Sequence, residues 1–237
     1  MRPRFFPSLD PLLSLFVIIL LCPVLILISL LIIIIDRHNP VFSQLRVGLD
    51  QKLFSIYKFK TMRPSSEPYS TISSLNLNRV TKLGRYLRKS KLDELPQLFN
   101  ILLGHMRFIG YRPDTFAQLE TTRSLYPMLC FSIIHFYKPG LLSYGSLVFR
   151  DEESLFVSSD HFSIEQTNNL FFATKLVLDK AMYRDLNLRP VLTCFYILRA
   201  FLNRSTFFSF ALNQYLPIPL VTYKSCESLV ISSLQTS

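Results

Sequence analysis

Arg79-Val80-Thr81-Lys82-Leu83-Gly84-Arg85-Tyr86-Leu87-Arg88-Lys89-Ser90-Lys91-Leu92-Asp93-Glu94-Leu95-Pro96-Gln97-Leu98-Phe99-Asn100 carries two helical patterns back to back. The first predicts a basic helix across Val80 to Lys89, with Leu83 and Leu87 on one side and Arg85, Arg88 and Lys89 projecting elsewhere. In the second, Leu95, Leu98, Phe99 and Leu102 recur at i, i+3, i+4 and i+7, and Pro96 falls inside the expected first turn. Asp93 and Glu94 are thereby set at a helix start.

Acidic side chains at such a position are often no more than caps, satisfying free N–H groups and complementing the helix dipole. The context points further, because Lys82, Arg85, Arg88, Lys89 and Lys91 crowd the approach to the pair. Neighbouring cations favour an ionised carboxylate, and a helix N-terminus cradles phosphate. One carboxylate could then attack phosphorus while the other holds a divalent ion, with magnesium the best match to hard oxygen ligands. Arg112, Lys138 and Arg150 are candidates to neutralise charge developing on phosphoryl oxygens.

Before this stretch, Val41 to Gly48 and Phe54 to Lys60 alternate apolar and polar residues, predicting two short strands joined by a turn at Gly48-Leu49-Asp50-Gln51. Arg63 to Asn78, rich in Ser, Pro and Asn, reads as a loop. After it, Ile109-Gly110-Tyr111-Arg112-Pro113 and Lys138-Pro139-Gly140 read as tight turns presenting a cation beside a rigid backbone. Further helices are expected over Asn169 to Tyr183 and Val191 to Leu202, followed by a mixed tail. All six glycines lie between Gly48 and Gly145, which places the special turns, and the site, in mid-chain.

Leu12 to Ile35 is a run of 24 positions without a charge. It is long enough to cross a bilayer, and too long for the apolar core of a cleaved signal peptide. Pro23 sits near its centre, where it removes a helix hydrogen bond, and basic residues flank both ends: Arg2 and Arg4 before, Arg37, Arg46 and Lys52 after. With both flanks positive, both ends are expected on the cytoplasmic side, so a re-entrant helix bending at Pro23 fits better than a plain span.

Of 237 residues, 26 are Lys or Arg and 16 Asp or Glu, and the segment from Asp36 to Arg150 holds the whole excess. Such a patch suits anionic headgroups, phosphorylated substrates or nucleic acid, and charge alone does not choose among them. The four cysteines (Cys22, Cys130, Cys194, Cys226) have no CxxC spacing, and the four histidines (His38, His105, His135, His161) no ligand spacing. Phosphate-binding loops of the GxxxxGK[ST] type, GxGxxG, HExxH, GxSxG and Asp-x-Asp are all missing from the sequence.

The run Arg79 to Asn100 closely resembles the signature of the bacterial sugar transferases, the monotopic polyprenyl-phosphate phosphoglycosyl transferases. Tyr57-Lys58-Phe59-Lys60-Thr61-Met62, Arg112-Pro113 and Lys138-Pro139-Gly140 fit that family in the same order, with Phe149 to Glu153 and Lys175 to Asp179 resembling one branch. The resemblance covers about residues 8 to 202.

It implies a small α/β catalytic domain of mixed helices and strands (37–202) on an N-terminal re-entrant helix-break-helix (1–36) bent at Pro23, with a C-terminal tail (203–237). It also implies that Asp93 attacks the β-phosphate of a UDP-sugar and releases UMP, that the phosphosugar passes to polyprenyl (undecaprenyl) phosphate, and that Glu94 helps bind Mg2+. Lys60, Arg88, Arg112, Lys138 and Arg150 become the phosphate- or substrate-binding residues. Membrane lipid and a second copy or downstream glycosyltransferases are the expected partners, without nucleic acid. The expected location is the bacterial inner membrane with the catalytic domain facing the cytoplasm, at the first membrane step of capsule, O-antigen or exopolysaccharide synthesis. Two stretches depart from the family pattern: Gly104-His105-Met106-Arg107 stands where Gly-Asp-Met-Ser is usual, and Gly110-Tyr111-Arg112-Pro113 where Gly-Pro-Arg-Pro is usual. These departures motivate the alternative of a catalytically weakened or inactive membrane scaffold for a glycan-assembly complex.

Overall fold

A computed structural model gives the fold, described here for residues 9–63, 79–125, 127–148 and 175–183. The helix expected over Val191 to Leu202, the tail, Arg150 and nearly all of the loop from Arg63 to Asn78 lie outside those residues. The chain divides into two compact units, one of Met1–Phe108, Pro113–Gln118 and Ile134–Leu141, the other of Ile109–Arg112, Leu119–Ile133 and Leu142–Ser237.

The first unit opens with α1 (Asp10–Leu31), which runs on into a five-residue π-helical turn, Ile32–Asp36. The helix continues through Pro23, so the break expected there is not found. Proline removes one backbone donor, and Leu21 and Leu25 on either side are pinned against the rest of the unit, which keeps the helix continuous across the gap. Contacts along α1 fall on one stripe. Asp10 pairs with Arg107, Ser14 Oγ donates to Leu98 O, Val17, Ile18, Leu21, Leu25, Ile28 and Ile32 pack inward, and Asp36 accepts from Thr81. The spacing of three and four is that of a single helical face. Leu12, Phe16, Ile19, Leu20, Leu27 and Ile34 are left exposed on the others.

β1 (Val41–Val47) and β2 (Leu53–Phe59) form the expected antiparallel hairpin, in register from Val41 opposite Phe59 to Val47 opposite Leu53. The turn between them is the 3-10 segment Leu49–Gln51, with Asp50 and Gln51 both at positive φ. α2 (Lys82–Ser90) starts at Thr81, whose hydroxyl oxygen accepts from Gly84 N. α3 (Gln97–Leu102) lies against β2, and Asn100 stitches the two together: its Oδ1 accepts from Tyr57 N at 2.9 Å and its Nδ2 donates to Ser55 O at 2.7 Å.

Those bonds set which side of α3 faces inward. Gln97, Leu98, Asn100 and Ile101 are buried, whereas Phe99, placed on the apolar face by its spacing, is 42% exposed. One apolar core gathers Phe54, Ile56, Leu98, Ile101 and Met106, and another Ile28, Ile32, Phe59 and Leu87. Leu95 packs against both and Leu92 against the second, so the Leu92–Leu95 turn is held between them.

β3 (Arg107–Ile109) and β4 (Gly140–Leu142) make a second two-stranded sheet. Between them run α4 (Phe116–Leu125) and α5 (Pro127–Ile134), which the sequence reading did not anticipate. Gln118, Glu120, Thr121, Thr122 and Arg123 leave α4 without a clear apolar period. In the second unit, α6 (Tyr144–Val148) meets α7 (175–183), the described part of the helix expected from Asn169. Gly145 N donates to Asp179 Oδ1 at 2.8 Å, and a Cβ at Gly145 would stand 2.5 Å from Lys175 Cγ, so only glycine allows this approach.

Candidate active site

Lys91 ends α2 in the left-handed conformation, its N–H bonded to Arg88 O, and turns the chain into the 3-10 segment Leu92–Glu94. Anchored by Leu92 and Leu95, this turn presents Asp93 and Glu94 ahead of α3. Pro96 then precedes the helix, where its missing donor is tolerated.

Glu94 Oε1 lies 3.1 Å from Lys58 Nζ. Lys58 shares a face of β2 with Phe54 and Ile56, the side that packs on α3, and so reaches the dyad. This lysine escaped the sequence reading, which favoured Lys60. The alternation was the available signal, since Phe54, Ile56 and Lys58 sit two apart. Lys60 follows β2 directly, with its backbone N–H bonded to Pro40 O.

Asp93 is 8% exposed, and its Oδ1 is buried without a hydrogen-bond partner. Burial holds its carboxyl above the usual carboxylate range, and the Glu94 charge adds to that. Lys58, Lys91 and Arg88 act the other way. The neighbouring cations act in the expected direction, and desolvation outweighs them. A buried carboxylate oxygen without a hydrogen-bond partner is a reactive one, because little solvent has to be removed before it attacks an electrophile.

Arg88 is fixed by its Nε, which donates to Thr61 Oγ1 at 3.0 Å. That contact depends on Gly84, one turn earlier on α2. A Cβ there would stand 2.2 Å from Thr61 O, so glycine alone lets α2 approach this closely. Lys138 Nζ donates to Gly104 O at 2.9 Å, on the left-handed turn that comes after α3. Arg112 belongs to the second unit, beside Tyr111, whose backbone N–H donates to the Tyr183 hydroxyl.

The two departures from the family pattern are accommodated. His105 tilts against Phe54 with ring centroids 5.8 Å apart, Arg107 takes the ion pair with Asp10, and Tyr111 is buried.

Among the described residues no group of three or more His, Cys, Asp and Glu is placed to hold a metal. Asp93 and Glu94 instead fit the magnesium mode in which one or two carboxylates share the ion with substrate phosphates and water. The unpartnered Asp93 oxygen fits such a shared site.

The bacterial sugar transferase family model matches residues 4–183. UDP-glucose:undecaprenyl-phosphate glucose-1-phosphate transferase of Klebsiella pneumoniae is 35% identical over 133 residues, covering 56% of this chain and 28% of that protein. Exopolysaccharide production protein PSS of Rhizobium leguminosarum bv. phaseoli is 41% identical over 102 residues, 42% of this chain and 50% of that protein. UDP-N-acetylgalactosamine-undecaprenyl-phosphate N-acetylgalactosaminephosphotransferase of Aeromonas hydrophila is 34% identical over 126 residues, 52% of this chain and 29% of that protein. The matches therefore span half or less of each relative's length.

Proposed function

Because the chain belongs to the bacterial sugar transferase family, we propose that it moves a sugar 1-phosphate from a UDP-sugar to polyprenyl phosphate with Asp93 as the nucleophile. The observation that carries this reading is the buried, unpartnered Asp93 oxygen in a turn bordered by Lys58, Lys91 and Arg88. Relatives named for glucose and for N-acetylgalactosamine transfer to undecaprenyl phosphate support the substrate class and leave the sugar open.

In the first step a carboxylate oxygen of Asp93 forms a bond to the β-phosphorus. The bond from that phosphorus to the bridging oxygen breaks, and UMP leaves with the electron pair. In the second step an oxygen of polyprenyl phosphate attacks the same phosphorus, and the Asp93 carboxylate departs unchanged. No proton need be supplied in either step. Lys58, held on Glu94, keeps positive charge beside the dyad, and Arg88, oriented by Thr61, is a further cation for the phosphoryl oxygens. Glu94 would help hold magnesium, which when bound supplies positive charge against the diphosphate. Lys60, Arg112, Lys138 and Arg150 remain proposed substrate contacts.

The membrane reading rests on α1 and its π turn, 27 residues long and apolar enough to cross a bilayer. Such a helix is roughly 40 Å long. Yet Asp10 near its start and Asp36 at its end both bond residues of the same unit. That arrangement favours both ends on one face of the bilayer, which the basic flanks make the cytoplasmic one, with the continuous helix dipping its exposed apolar flank into the lipid rather than crossing it. Polyprenyl phosphate would then meet the dyad from the membrane it is dissolved in.

Incubating the detergent-solubilised full chain with magnesium, polyprenyl phosphate and a panel of UDP-sugars should release UMP with at least one donor. Silence across the whole panel would contradict the proposal.

A further inference from the structure

We infer that Gln97 is a substrate-contacting residue whose side-chain amide donates a hydrogen bond to a phosphoryl oxygen of the group that reacts at Asp93. The inference rests on the phosphoryl-transfer reading above and assigns that site a donor the reading does not include.

Gln97 is 1% exposed, and its Nε2 is buried without a hydrogen-bond partner. An amide nitrogen can only donate, and leaving such a donor unpaired in the interior is uncommon and unfavourable. Asn100, one turn further along the same helix and equally buried, has both amide atoms bonded to β2. Burial in this helix thus does not prevent an amide from finding partners.

Hydrogen bonds from Leu95 N to Leu92 O and from Leu98 N to Leu95 O carry the Asp93 turn directly into α3, whose first residue is Gln97. An unpaired buried acceptor, Asp93 Oδ1, and an unpaired buried donor, Gln97 Nε2, thus lie four residues apart in one turn-and-helix segment and do not bond each other. The pair is complementary to a third group carrying both an electrophilic centre and anionic oxygens. A phosphoryl group has both: phosphorus meets the carboxylate, and a non-bridging oxygen accepts from the amide. A donor held ready in a dry site needs no reorganisation when negative charge builds on that oxygen.

The test compares Gln97→Met, which removes both polar amide atoms at similar volume, and Gln97→Glu, which keeps the shape but offers an acceptor to an acceptor. Each variant of the full chain is measured for thermal melting and for kcat/KM of UMP release, alongside the unaltered chain. Gln97→Met should melt at the same or a higher temperature, because an unpaired buried donor is gone, while kcat/KM falls by about 10- to 100-fold, the effect of losing one hydrogen bond to a charged oxygen. Gln97→Glu should lose more than Gln97→Met. A Met variant whose kcat/KM stays within roughly 2-fold of the unaltered chain overturns the inference and leaves the transferase reading standing. One that melts lower and loses activity together marks Gln97 as a packing residue, and also overturns it. An unaltered chain that releases no UMP removes the reading beneath, and the inference with it.

Discussion

Asp93 is held between opposed influences, and the sign of their balance has consequences for stability. Its folded-state pKa is raised, chiefly by burial, above the ordinary aspartate value of 3.8. The folded state therefore binds the proton more tightly than the unfolded chain does. The associated stability is fully present below the unfolded value and is lost as pH rises through the folded one. Above the unfolded value the buried carboxyl is therefore a destabilising element. Asp93→Asn should accordingly abolish turnover while raising stability at pH 7, by an amount on the order of 1–3 kcal/mol, with the gain vanishing in acid. Chemical denaturation at several pH values checks this, and an Asn variant less stable than the unaltered chain at pH 7 would contradict it. Lys58 is the largest influence lowering the Asp93 pKa, so Lys58→Met should push that pKa higher. If attack requires the carboxylate, the acidic limb of the kcat/KM profile should move to higher pH in this variant. It should also lose about 1–3 kcal/mol of stability, because the largely buried Glu94 loses its ion pair with Lys58. An unmoved limb would remove Lys58 from the electrostatics of the site.

At the scale of elements, the site is a turn suspended between two cores. Leu92 and Leu95 pin the turn, Asn100 locks α3 to β2, and Gly84 lets α2 close on Thr61 so that Arg88 can be oriented. Gly84→Ala would place a methyl 2.2 Å from a backbone oxygen that cannot swing aside. It should lower stability by about 1–3 kcal/mol or more and weaken donor binding as α2 withdraws, read by melting and by KM for the UDP-sugar. A variant that melts normally would show that α2 does not need this approach. The hairpin, α2 and the dyad turn were legible in sequence, because alternation, a basic helical period and a proline-led helix start are local signals. The orientation of α3 was not. Its inward face includes the polar Gln97 and Asn100, the latter fixed by hydrogen bonds to β2, and no apolar period marks them. Lys58 was equally hidden, since its role depends on a strand and a turn 36 residues apart meeting in space. α4 escaped because its composition carries no clear apolar stripe.

On the scale of the molecule, α1 serves two solvents at once. One stripe completes both cores of the first unit, and the remaining apolar faces suit lipid. Sequence alone separates this helix from the catalytic residues, because a charge-free run reads as an independent membrane element. Packing shows that it belongs to the same unit as the dyad. Cysteines introduced at Arg4 and His38, in a chain whose four native cysteines are replaced, should label from the same side of the membrane. Opposite-side labelling would establish a spanning helix and require the contacts of Asp10 or Asp36 to break. The chemistry itself is tested most directly by trapping. The full chain, given magnesium and UDP-sugar labelled in its β-phosphate but no lipid acceptor, should carry the label on Asp93, lose it on addition of polyprenyl phosphate, and remain unlabelled as Asp93→Asn. Product formation by the unaltered chain without label ever reaching the protein, or a labelled Asp93→Asn variant, would contradict Asp93 as the nucleophile.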